Sequence, residues 1–140
     1  MNVLIVHHSA PFADDLAHRI RLWGHDAGPC HDARAAAALM RTMIFDLAML
    51  EVGPAGAPGE RTIAAVKARQ PGISIVAMSD SADPELQTRI RGTGIIYYML
   101  IPSEIHHLKL ILDHLSARTL PAAALPPQHR KASAAWESPV

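Results

Sequence analysis

The chain has 140 residues, with 13 Lys and Arg balancing 13 Asp and Glu, nine His, one Cys and 49% hydrophobic residues. This size suits one globular domain, and zero formal charge leaves no basic footprint for nucleic acid or an anionic membrane surface. A lone Cys30 excludes an internal disulfide and a cysteine-rich zinc site, which fits a reducing compartment. No apolar run approaches the ~20 residues of a bilayer span. The start, MNVLIVHHSAPF, lacks a basic region ahead of its apolar stretch. A cytoplasmic protein with no nucleic-acid or membrane partner is the expectation.

In chain order, Asn2 to Val6 is a short β-branched apolar run that reads as a buried strand. Pro11 then stands at the head of a helical stripe, Phe12, Leu16, Ile20 and Trp23, closed by Gly24. His25 to Cys30 is a weak second strand. Asp32 caps an Ala-rich helix to about Met43, and Phe45 to Leu50 is the next strand. Gly53 to Gly59 is a Gly/Pro loop without the pattern of a phosphate cradle. Glu60 to Gln70 predicts a helix, Ile73 to Met78 a strand, and Asp83-Pro84-Glu85 the capped start of a helix reaching Gly92 or Gly94. Ile95 to Ile101 is a fifth strand. A last helix is expected from Ser103-Glu104 to Ala117, burying Ile105, Leu108, Ile111, Leu112 and Leu115.

Five βα units in strict alternation predict an α/β fold with a doubly wound, five-stranded parallel sheet of order 2-1-3-4-5. Residues 1–118 form the predicted domain. Residues 119–140, rich in Pro and Ala and carrying His129-Arg130-Lys131 and Trp136, read as a flexible tail too short for a further folded domain. In such sheets the site lies beyond the carboxyl ends of the strands. That rule selects His7 and His8 after the first strand, Glu51 after the third, Ser79 after the fourth and Ile101-Pro102 after the fifth.

The segments VLIVHHS, FDLAMLE, ISIVAMSD and GIIYYMLIP, at these spacings, resemble the receiver domain of response regulators in two-component signalling. The resemblance covers residues 1 to about 118 and implies the flavodoxin-like, CheY-like (βα)5 fold. Receivers carry an Mg²⁺-binding acidic pair, here replaced by His7 and His8, and a phosphoacceptor Asp, here replaced by Glu51. Their Lys falls on Ile101. The Ser/Thr position is kept as Ser79, the switch aromatic as Tyr98 and the proline as Pro102. The resemblance therefore implies a pseudo-receiver with a degenerate phosphorylation pocket, no catalytic residues and no enzymatic activity.

Mg²⁺ prefers oxygen ligands in octahedral geometry, so its binding is expected to be lost. Phosphoryl transfer depends on positioning and charge neutralisation, which this residue set lacks. The longer Glu51 could reach towards Ser79 and imitate a phosphorylated acid, with a protonated His7 or His8 supplying the cation absent at Ile101. Two alternatives stand beside this reading: a receiver that is still phosphorylated, and a metal-binding sensor using His7, His8 and Glu51. Imidazole suits Zn²⁺, Cu²⁺ or Ni²⁺. Adjacent residues of a strand face opposite ways, however, which leaves His8 and Glu51 as the simplest metal pair and argues against one ion shared by all three.

Receivers signal through helix 4, strand 5 and helix 5, so the resemblance implies the same face here, with Tyr97, Tyr98 and Ile105 as switch or contact residues. The apolar run Tyr97 to Ile101 suggests a patch for an unidentified signalling partner or a homodimer. His107 and His114 are expected to be exposed or at an interface, and His18 and His25 on the surface.

Overall fold

The computed structural model describes residues 1–53 and 59–117. The Gly/Pro loop from Pro54 to Pro58 and the expected tail, with Trp136, lie outside the described residues.

The elements follow in the order β1 (Asn2–Val6), α1 (Ala10–Leu22), β2 (Asp26–Cys30), α2 (Ala33–Thr42), β3 (Leu47–Glu51), α3 (Glu60–Arg69), β4 (Ser74–Ser79), α4 (Pro84–Arg91), β5 (Tyr97–Leu100) and α5 (His107–Ala117). The strands pair in parallel in the order β2-β1-β3-β4-β5, as the alternating pattern predicts. Alternate side chains of the central strands enter two separate cores. Val3, Ile5, Leu47, Met49, Val76, Met78 and Met99 pack under α1 and α5. Leu4, Val6, Ala48, Leu50, Ile75 and Ala77 pack under α2, α3 and α4. No described helix is long and apolar enough to cross a membrane.

Local chemistry sets the element ends. Ser9 caps α1, its hydroxyl accepting the Phe12 N–H, and Gly24 turns the chain away at φ +91°. β2 is recognisable only in place: its sequence, DAGPC, includes a proline, which an edge strand tolerates because its missing N–H is not needed by a neighbour. A Cβ at Gly28 would stand 3.3 Å from the Phe45 ring, so the weak strand is also a close-packed one. Asp32 and Asp83 cap α2 and α4 through their carboxylates, as their positions predict.

Three expectations need correction. The last helix starts at His107, not at Ser103-Glu104, because Glu104 is recruited by the preceding turn: its Oε1 accepts the Leu100 N–H at 2.8 Å and its own N–H donates to the Leu100 carbonyl. Ile105 is accordingly a half-buried turn residue packed against the α1/α5 core. Second, His114 is buried on the inner face of α5 beside Ile111 and Leu115, and His107 accepts or donates a 2.7 Å bond with the Tyr97 hydroxyl. Third, the apolar run of β5 is not an open patch. Tyr98 and Met99 are buried, while Tyr97, Leu100 and Ile101 are half-buried against the two cores. Among the described residues, the large apolar side chains that do face solvent are Leu22, Met43, Ile44 and Leu110.

Candidate functional site

The parallel register pairs Val6 with Cys30 on one side and with Leu50 on the other. Continuing one residue along both strands brings His7 opposite Glu51, each on the side of the sheet that carries Ile5, Met49 and α1. His7 is buried, its ring 4.4 Å from that of Phe12 in α1. Its N–H still donates to the Cys30 carbonyl of β2.

Strand pairing by β1 ends at Val6, so His8 does not obey the strict alternation that would turn it to the far face. Its ring stacks on His7, centroids 4.8 Å apart and 22° between planes. The expected obstacle to bringing both imidazoles to one place is thereby removed. His8 also grips the end of β3 twice. Its backbone N–H donates to Glu51 Oε1 at 2.9 Å, and its Nδ1 lies 2.5 Å from Oε2. His7 Nε2 stands 3.4 Å from the same Oε2.

The hydrogen bonds also assign the His7 proton. Ser9 N–H donates to Nδ1 at 3.0 Å, so in the neutral ring Nδ1 is the acceptor and Nε2 carries the proton that faces Glu51. Burial lowers the His7 pKa, with the neighbouring His8 acting in the same direction and Glu51, the Ser9 contact and Asp80 opposing. Both oxygens of Glu51 therefore have partners from the β1 side. The side chain of Glu51 is nearly covered, whereas that of His8 is 74% accessible, so the clamp has one fixed jaw and one that water can reach.

The other half of the crevice is arranged differently. Ser79 is buried at the end of β4, its hydroxyl accepting the Ser81 N–H at 3.0 Å. Tyr98 is buried beneath the same loop and donates its hydroxyl to the Ser81 carbonyl at 3.0 Å. Burial raises the Tyr98 pKa, while the Ser79 side chain lowers it in part. Among the described residues Glu51 has no hydrogen bond to Ser79, so the anticipated reach from one to the other is replaced by the histidine clamp. Ile101 offers its N–H to the Ser79 carbonyl, joining β5 to β4 beside Pro102. His7, His8 and Glu51 thus converge, whereas Ser79, Tyr98, Ile101 and Pro102 form the neighbouring wall. Sequence reasoning missed the part played by Ser9, whose position directly after the histidine pair and at a helix cap was the available signal.

No protein-family model matches the chain. Its sequence is 27% identical over 112 residues to the transcriptional regulatory protein ZraR of Escherichia coli K12, covering 76% of this chain and 25% of that protein. The Salmonella typhimurium protein of the same name is 27% identical over 119 residues, covering 85% and 27%. The chain thus spans about a quarter of the length of these curated relatives. Among solved structures, a two-component response regulator from Clostridium difficile superposes with a TM-score of 0.77 at 15% identity, covering 86% of this chain and 99% of that one. The receiver domain of Francisella response regulator 1452 gives 0.72 at 18%, covering 84% and 98%. The chemotaxis response regulator CheY4 of Vibrio cholerae gives 0.70 at 20%, covering 81% and 97%.

Proposed function

From the premise that the fold is that of response-regulator receiver domains, we propose that this chain is a non-enzymatic two-component signalling module whose state is independent of phosphorylation. The observation that carries the reading is the engagement of both Glu51 oxygens by His8 and His7. An acyl phosphate forms by attack of a free carboxylate oxygen on phosphorus, with the donor's leaving group departing and charge neutralised by Mg²⁺ and a Lys. Here the carboxylate is held, the Lys position is Ile101, and the donor set is two imidazoles and one carboxylate, which does not suit octahedral Mg²⁺.

Output then passes through protein contacts on the face of α4, β5 and α5. On that face Tyr98 is already turned inward and bonded to Ser81, so the aromatic needs no phosphoryl group to reach its buried position. Leu110, exposed on α5, offers apolar area to a signalling partner or to a second copy.

The test is intact-mass measurement after incubation with Mg²⁺ and a small acyl-phosphate donor. No phosphoryl adduct should form on the native chain, and an adduct mapped to Glu51 would contradict the proposal.

A further inference from the structure

The pocket that fits Mg²⁺ badly fits another class of ion. We propose that His7, His8 and Glu51 form a binding site for a divalent cation of borderline softness, with Zn²⁺ as the leading candidate. The inference concerns the same pocket as the proposed function but stands on its donor geometry and not on the signalling role.

One donor atom from each residue lies within 4.8 Å of the other two. Zn–N and Zn–O bonds of ~2.0–2.1 Å at the tetrahedral angle put neighbouring ligand atoms ~3.3 Å apart. The separation of His7 Nε2 and Glu51 Oε2 is 3.4 Å, already at that spacing without movement. The shorter distance, 2.5 Å between His8 Nδ1 and the same oxygen, is a hydrogen-bond contact, and a metal replacing it must push the two apart. The accessible jaw is the one that must move. Because His8 extends into solvent from a segment beyond the strand, its ring can withdraw by the required fraction of an ångström without disturbing either core. His7 and Glu51, the less accessible pair, supply the preset edge, and water can complete the tetrahedron from the open side.

Ligation has a structural consequence that distinguishes it from loose surface binding. A metal on His7 Nε2 displaces the proton there, and a neutral ring must then carry its proton on Nδ1. The Ser9 N–H now donates to that nitrogen, so the bond must break and Ser9 must find another partner at the start of α1. Metal occupancy is thereby coupled to the β1–α1 connection and, through Glu51, to the end of β3.

The experiment is calorimetric titration of the full chain with Zn²⁺, and separately with Mg²⁺, without any phosphate donor, alongside amide NMR. The expected result is one-to-one zinc binding at micromolar concentration, no Mg²⁺ heat, and movement of the Ser9 and His8 amide resonances. His8→Ala, at an accessible position, and Glu51→Gln should each weaken zinc binding by at least about ten-fold. Absence of zinc heat at micromolar concentration overturns the site. So does binding that survives both substitutions, which would assign the ion to others of the nine histidines. Because phosphorylation is read by mass and zinc by heat, each proposal can fail without the other.

Discussion

The two halves of the crevice are built from the same fold but held by different forces. On the β4/β5 side, Ser79 and Tyr98 are buried and tied to the Ser81 backbone, so their positions follow from packing. On the β1/β3 side, His7, His8 and Glu51 are held by charge and hydrogen bonds around one carboxylate, part of it in contact with water. The first half carries the serine, aromatic and proline that the resemblance to receivers implies, with Ile101 where it implies a Lys, and the second carries two imidazoles and a Glu where it implies acids. Packing constrains a residue's shape whatever chemistry the pocket performs, whereas an imidazole in place of a carboxylate offers a cation a different kind of ligand. The difference gathers the imidazoles and the carboxylate of the crevice on its β1/β3 side.

The largest expected effect lies on the packed side. Tyr98→Ala removes a buried ring and should cost about 3–5 kcal/mol in urea denaturation. Glu51→Ala removes the acceptor of two hydrogen bonds from His8 and the partner of His7 at a nearly covered carboxylate and should cost about 1–2 kcal/mol. If it matched Tyr98→Ala, the two halves would be equally structural and the comparison would collapse. Tyr98→Phe keeps the ring and loses the bond to the Ser81 carbonyl, for a cost of about 1 kcal/mol by the same assay. His8→Ala, at an accessible imidazole, should change stability by less than about 1 kcal/mol, and a double-mutant cycle with Glu51→Ala measures the coupling directly.

A pH effect extends the contrast to the end of β2, whose Cys30 carbonyl accepts the His7 N–H. Burial pushes the Cys30 thiol from 9.0 up to about 11, with Asp32 adding to the rise. Between those values the unfolded chain loses the thiol proton and the folded chain keeps it, so this contribution to stability is complete below pH 9 and declines as pH rises towards 11. Comparing urea midpoints of the native chain and Cys30→Ala across that window isolates the effect. The thiol, whose Sγ contacts the Ile5 carbonyl, should also resist alkylation in the folded state.

The strands and caps were legible because they depend on local rules. VLIV and SIVAM are apolar runs of strand length, and Asp32 and Asp83 are polar caps directly before helical patterns. The start of α5 was not, because Ser103-Glu104 imitates a capped helix start while Glu104 serves the backbone of the preceding turn. His114 could have been read as buried: it lies three residues after Ile111, on the same helical face. At the site, strand-end position selected the residues, but their grouping depended on where β1 stops pairing. One residue more of strand would have sent His8 to the opposite face. The tautomer of His7 depends on a backbone N–H two residues away, a contact no pattern of side-chain types specifies.

The central claim is that the β1/β3 side no longer accepts phosphoryl chemistry. It is tested most directly by amide NMR of the native chain titrated with Mg²⁺ and beryllofluoride, which together stand in for the phosphorylated carboxylate and its ion. The account predicts that the resonances of His8, Glu51 and Ser79 stay in place. Saturable shifts at Glu51 and Ser79 would contradict it.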